Sequence, residues 1–256
     1  TTQQLLKSGD ISLDTLDNSS EQSDALLVAL APRLLDALRE KQVTGIFLML
    51  NTHDLDTCEV GKKMPGIYLR DQDPDARPSE RNSDLLLERA SATVVKELGI
   101  GTDKGWQPAF PYQGNTKGGI LRTVFQTAYK SGASLSAESY GRWTTNSYCL
   151  AGDDRHAIAY SMPLILPDGT VYGVVGVELL TEYLQTKLPF TELDEDKAGT
   201  YFIVTTTDAL TDGVLSLRKT VTSGEDLVTA DAPLGVLNCR SNGSGGNWGE
   251  LNDKRY

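Results

Sequence analysis

The stretch 156–179 constrains the fold more than any other part of the chain. Two β-rich runs, 156–166 and 171–179, flank the tripeptide Pro167-Asp168-Gly169. Proline presets the first turn dihedral, aspartate accepts from a nearby backbone N–H, and glycine tolerates a positive φ. The two runs are therefore predicted to form an antiparallel hairpin. Alternation puts Val171, Gly173, Val175 and Val177 on one face of the second strand, and Tyr172, Val174, Gly176 and Glu178 on the other. A short helix over 181–188 closes the unit. With helices upstream and further strands downstream, the order fits an α+β fold with antiparallel sheets better than a parallel βαβ series.

Upstream, 1–18 is polar with scattered leucines and reads as the stub of a longer helix. Ser19 and Gln22 have the spacing of a capping box. Leu27, Leu30, Leu34 and Leu38 then recur at helical spacing, with Pro32 predicted to kink or divide the helix. Gly45 ends it, and 46–50 reads as a buried strand. A polar loop over 52–65 leads to a short strand at 66–69 and a loop over 71–81. Ser83 is predicted to cap a second helix over 84–98, with Gly99 at its C-terminus. Leu121, Val124, Phe125 and Ala128 mark a third helix that stops near Gly132. Beyond an acidic linker at 192–197, strands are expected at 201–206 and 214–222, and a long Gly/Ser/Asn-rich turn at 241–249.

The function classes narrow quickly. A net charge of −11 argues against a nucleic-acid partner, because phosphates demand clustered Lys and Arg. The longest apolar runs are too short to span a bilayer, and 1–10 lacks the apolar region of a signal peptide. Cys58, Cys149 and Cys239 are widely spaced and give no zinc or redox motif; one disulfide with a leftover thiol and three buried thiols are both open. His53, Asp54, Asp56 and Cys58 have no second ligand group at zinc spacing, and a solvated loop is the simpler reading. Asp71, Asp73 and Asp75 alternate like a calcium loop but lack its Gly and Glu. No metal or cofactor is expected. With His53 and His156 the only histidines and no GxSxG, GxxxxGK[ST] or HExxH, nothing points to catalysis.

Tyr160-Ser161-Met162-Pro163-Leu164, the turn, and Tyr172-Gly173-Val174-Val175-Gly176-Val177-Glu178-Leu179 resemble the central hairpin of double Cache sensors, the extracytoplasmic ligand-sensing domains of bacterial membrane receptors. Gly66-Ile67-Tyr68-Leu69-Arg70-Asp71 and Tyr140-Gly141-Arg142-Trp143 resemble the family as well. The likeness runs over about residues 20–190. It implies a long N-terminal helix beside two PAS-like lobes. Residues 1–45 would form the helical segment, 46–190 the membrane-distal ligand-binding lobe, and 195–256 a small or incomplete membrane-proximal lobe, with the natural protein continuing past Tyr256. It further implies no enzymatic activity, transmembrane helices outside this fragment, an extracellular location, and a possible homodimer through the N-terminal helix.

The amino-acid-binding subset of that family carries a residue pattern that this chain half matches. Its carboxylate-binding arginine falls on Arg122, its next aromatic positions on Val124 and Phe125, and a later tyrosine on Tyr140. Its aspartate position holds Arg142, an upstream tyrosine position holds Lys117, and its final acid is Glu178. Arg122 can clamp a carboxylate through two N–H groups, whereas the ammonium cage is weakened. The expected ligand is a small carboxylate-containing or polar molecule rather than an α-amino acid, held by Arg122, Phe125, Tyr140, Arg142, Trp143, Glu178 and Tyr68. Each has a plain alternative. Arg122 could be a solvated helix charge, and Tyr140 and Trp143 aromatic core. Glu178 could serve the N-terminus of the next helix, and Tyr68 could simply end a strand. A freestanding solute-binding protein and a hydrolase with a cryptic site are the rival functions.

Overall fold

The computed structural model describes residues 1–186 apart from 17, 42, 75–82, 113–118, 120, 145–146 and 151–153, and beyond them the strand segments of 202–255 given below. Contacts divide the chain into two compact units, one of residues 1–142 and 159–178, the other of 143–158 and 179–256.

The first unit opens with a short helix α1 (Thr2–Ser8), ended by Gly9 at φ 79°, and a single 3-10 turn (Leu13–Thr15). The 1–18 stretch thus holds a short helix followed by a separate turn. The long helix α2 (Ser20–Lys41) follows. Ser19 accepts from the Gln22 N–H at 3.4 Å, but the Gln22 side chain does not return the bond. Its carbonyl instead accepts from Ser12 N–H and Thr15 Oγ1, so half of the predicted box ties the turn to the helix. Pro32 does not divide α2, and its ring lies on the exposed side of the helix. Leu26, Leu27, Ala31, Leu34 and Leu38 form the buried stripe, and the helix packs on a later helix, Ala92–Leu98, and on the strands Gly45–Leu50 and Gly66–Asp71.

The sheet is built from β1 (Gly45–Leu50), β3 (Gly66–Asp71), β4 (Leu85–Arg89), β5 (Gly101–Gln107), β9 (His156–Ile165) and β10 (Val171–Leu180), in the order β5-β4-β3-β1-β10-β9. Setting a late strand beside the first makes β1 central, and all six of its residues are buried. A strand covered on both faces needs a continuous apolar run, which Ile-Phe-Leu-Met-Leu supplies. This mixed α+β, PAS-like sheet is antiparallel except for β4 and β5. The predicted hairpin is present: Leu166 N–H bonds Thr170 O at 2.9 Å, Gly169 takes φ 88°, and the Asp168 carboxylate accepts from Thr170 N–H.

The predicted helix over 84–98 divides into strand β4 and the helix α3 (Ala92–Leu98), capped by Ser91 rather than Ser83. Leu85-Leu86-Leu87 reads equally well in either conformation. Helix α3 is the crossover that two parallel neighbours, β4 and β5, require. A small ribbon pairs β2 (Lys63–Met64) with β6 (Phe110–Pro111). The third helix starts as a π-helical turn (Leu121–Gln126) and continues as α4 (Thr127–Lys130) before Gly132 and Ala133 turn left-handed. The wider π turn brings Gln126 inside along with the expected Leu121, Val124, Phe125 and Ala128.

In the second unit, β7 (Arg142–Trp143) begins at the unit boundary, and β8 (Tyr148–Cys149) pairs with the start of β9. Leu150, Ala157 and Leu180 form a small core against Tyr148 and Tyr183, and α5 (Thr181–Thr186) follows β10. Strands β11 (Phe202–Thr207) and β12 (Leu210–Ser216) pair antiparallel, so the second strand begins earlier than expected. Strands β13 (Asn238–Ser241), β14 (Asn247–Leu251) and β15 (Lys254–Arg255) form a second ribbon, which shortens the long turn expected at 241–249. The linker expected at 192–197 lies outside the described residues. Among the described residues no helix is long and apolar enough to cross a membrane.

Candidate functional site

Three neighbouring strands, β10, β1 and β3, place Glu178, Gly45 and Arg70 side by side, because Gly45 pairs with Glu178 on one edge and with Arg70 on the other. A side chain at the central position would separate the two charges. A Cβ on Gly45 would come within 3.0 Å of the Tyr68 ring and 3.1 Å of Glu178 Oε1. Arg70 Nε lies 3.6 Å from Glu178 Oε1. Its guanidinium also forms an ion pair with Glu88, and the Tyr68 hydroxyl donates to Glu178 Oε2. Arg70 Cζ stands 5.7 Å from the centre of the Tyr68 ring.

Glu88 reaches this group through an irregularity. Tyr68 pairs with Arg89 and Leu69 with Leu87, which leaves Glu88 as the extra residue of a bulge on β4. Bulges re-aim side chains in this way. Arg70, Glu88 and Glu178 are all shielded from solvent, with side-chain exposures of 7, 4 and 0 %. Burial disfavours charge on Arg70, but Tyr68, Glu178 and Glu88 outweigh it and hold the guanidinium pKa above its ordinary value. Burial pushes the Glu88 carboxyl up, Arg70 opposes that, and Glu178 adds to it. Two carboxylates thus share one guanidinium in a dry setting.

An aromatic wall adjoins the group. Phe47 meets the Tyr68 ring edge-on at 5.7 Å, and Phe110 of β6 stacks on it at 6.3 Å. Gly176 makes room for Phe47, since a Cβ there would collide with its ring and with the Tyr160 carbonyl.

Two residues beyond Phe110, about 7 Å along an extended chain, Tyr112 is buried with its hydroxyl donating to Leu55 O at 2.8 Å. Burial raises the Tyr112 phenol, the Cys58 thiol adds to this, and Arg122 pulls the other way. Arg122 stands 3.5 Å from Asp56 with its side chain 42 % exposed, and Lys130 pairs with the same carboxylate. The Gln126 amide bridges this corner from inside, donating to Asp54 and accepting from Leu55 N–H at 3.1 Å. A surface cavity of about 550 Å³ lies alongside, lined by His53, Thr57, Cys58, Glu59, Val60, Gly61 and Lys62.

The sequence-predicted residues therefore fall into several environments. Tyr68 and Glu178 meet directly, whereas Arg122 is paired with Asp56. Phe125 is fully buried and stacks on Tyr129 at 5.6 Å. Tyr140 is buried, its hydroxyl bonded to Ser131 and Ser134 and accepting from Leu135 N–H at 3.1 Å, and these bonds lower its pKa. Arg142 donates to the carbonyls of Ser139 and Gly141. Trp143 belongs to the second unit and is 40 % exposed. Lys117 and Asp75 lie outside the described residues. Arg70 reads in sequence, with Tyr68 and Asp71, as a strand end beside a loop that could form a pocket lid, and Glu88 is missed because it lies within the supposed helix. No disulfide joins Cys58 to Cys149. Among the described residues no cluster of three or more His, Cys, Asp and Glu is arranged to hold a metal.

No family model and no curated protein sequence matches the chain. Among solved structures, the extracellular domain of soHK1S-Z6, a chain assigned as a histidine kinase, is similar at 14% identity and a TM-score of 0.30. The match covers 69% of this chain and about half, 49%, of that one.

Proposed function

We propose that the chain is the extracellular sensing module of a bacterial membrane receptor of the double Cache type, and that its first unit binds a small carboxylate-containing or polar molecule. The observation that carries this reading is the buried group of Arg70, Glu88, Glu178 and Tyr68 on one face of a PAS-like sheet. An apolar core of the same volume would be no less stable than a buried ion triad. Buried, partner-bound ionisable groups of this kind concentrate at functional sites. The Tyr68–Glu178 pair, bonded to itself and with its carboxylate shielded from solvent, fixes the floor on which the ligand rests. Arg122, whose pair with Asp56 is solvent-exposed, offers a guanidinium to a carboxylate. Phe110, stacked on the Tyr68 ring, supplies an apolar wall beside the Tyr68–Glu178 pair. Phe125 and Tyr140 hold the third helix and its following turn in place, and Arg142 stands further along as an additional contact. The module binds rather than catalyses. Its transmembrane helices and output domain lie outside this fragment, and a homodimer would form through α2.

A thermal-shift screen of carboxylates, amino acids and sugars tests the reading. A ligand at about one hundred times its Kd adds about 2.7 kcal/mol, which raises Tm by about 5 °C or more for a chain of this size. The expected result is a carboxylate hit that disappears in Arg122→Ala and weakens in Glu178→Gln. A hit unaffected by both substitutions would refute this placement of the site, and shifts by amino acids alone would refute the preference for other carboxylates.

A further inference from the structure

Independently of that reading, we propose that Cys149 in the second unit is a reactive thiol, activated by His156 and poised for exchange with small disulfides. Cys149 and His156 are directly opposite one another on the paired strands β8 and β9. Side chains at opposed positions share a face, and Cys149 Sγ lies 3.5 Å from His156 Nε2. On the other side of the imidazole, Ser147 Oγ is 3.4 Å from Nδ1. A nucleophile, a base within hydrogen-bond reach and a third group that orients the base are the arrangement of an activated nucleophile. Cys149 is exposed, so a reagent can reach it, while Ser147 is buried and holds the ring from behind.

The scaffold around the pair is fixed. The Thr181 hydroxyl donates to the His156 carbonyl at 3.1 Å, and Leu150 N–H bonds Arg155 O at 3.0 Å just beyond the pair. Leu150, Ala157 and Leu180 pack beneath, with Tyr148 and Tyr183 against them. Among the described residues, the other ionisable groups in the second unit's 143–158 and 179–186 are Tyr148, Asp154, Arg155, Glu182 and Tyr183. Free cysteines in proteins are mostly buried and inert; an exposed thiol beside an imidazole is the reactive kind.

The chemistry follows from the tautomer in which Nδ1–H donates to Ser147 Oγ and leaves Nε2 as a base. The Cys149 S–H proton passes to Nε2, and the thiolate attacks one sulfur of a low-molecular-weight disulfide. The disulfide S–S bond breaks as the Cys149 S–S bond forms. The departing thiolate takes the proton from His156 and leaves as a thiol, so Cys149 is oxidised and the departing sulfur is reduced. The product is a mixed disulfide on an exposed strand of the second unit.

The test treats the full chain with glutathione disulfide at neutral pH and follows each cysteine by peptide-resolved mass spectrometry. Cys149 is expected to react at least about tenfold faster than Cys58. His156→Gln should slow it about tenfold, with Tm and circular dichroism unchanged. Ser147→Ala should act in the same direction more weakly. If His156→Gln does not fold, the ratio of the Cys149 and Cys58 rates in the unaltered chain decides. A Cys149 rate no faster than that of Cys58, or one that is the same without His156, would overturn the proposal.

Discussion

Arg70 and Arg122 are both guanidiniums paired with carboxylates in the first unit, yet the pairs are opposites in energy. Arg70 is 7 % exposed and serves two buried carboxylates on neighbouring strands, while Arg122 is 42 % exposed and shares Asp56 with Lys130. Removing charge from water costs several kcal/mol per ion, repaid only by good mutual geometry. An exposed pair is worth about 0–1 kcal/mol because water and salt compete for it. The first grouping is therefore locked into the fold, and the second can trade partners at little cost. A receptor site needs both kinds: a fixed polar floor and a cation free to exchange Asp56 for an arriving carboxylate.

The contrast breaks most visibly at Arg70. Arg70→Met keeps the volume but leaves Glu88 and Glu178 facing each other, with a predicted loss of about 3–5 kcal/mol in urea unfolding. A loss below about 1 kcal/mol would place Arg70 among the exchangeable charges instead.

Next in size is a pH effect. Because the Glu88 pKa is raised in the folded chain, that chain keeps a proton in the window just above the ordinary glutamate value, where the unfolded chain has released it. The folded state then binds more protons, so stability falls as pH rises through the window. Glu88→Gln should flatten this dependence, measured by urea midpoints from acid to neutral pH. A residual slope of the same sign is expected from Asp71, whose pKa burial also raises. An unchanged slope in the variant would mean that Glu88 is not the group responsible.

The smallest effect is expected at the surface pair. Asp56→Asn should change stability by about 1 kcal/mol or less, an effect that weakens with added salt. A larger loss would show that the 52–62 loop depends on this carboxylate and that Arg122 is structurally committed.

Much of the frame was legible in the residues. The hairpin followed from Pro167-Asp168-Gly169, the central strand from an unbroken apolar run, and the third helix from Leu121, Val124, Phe125 and Ala128. The failures share one cause, which is pairing with distant partners. Leu85-Leu86-Leu87 becomes a strand because β3 lies beside it. Gly101–Gln107 is largely exposed and polar, so no alternation announces an edge strand whose partner is parallel and set by a helical crossover. Glu88 entered the site unseen for the same reason, since only a bulge turns it toward Arg70. Tyr68 and Glu178 were separately visible, but 110 residues apart their contact depends on the intervening β1 and its Gly45.

On this view the exchangeable charge of Arg122 serves a ligand while the buried group serves the site's architecture. Calorimetric titration of the best carboxylate from the screen into the unaltered chain and into Arg122→Ala tests this most directly. At least a tenfold loss of affinity is expected, about 1.4 kcal/mol, with Tm of the unliganded chain shifted by no more than a surface pair allows. Equal affinity in the two proteins would contradict it.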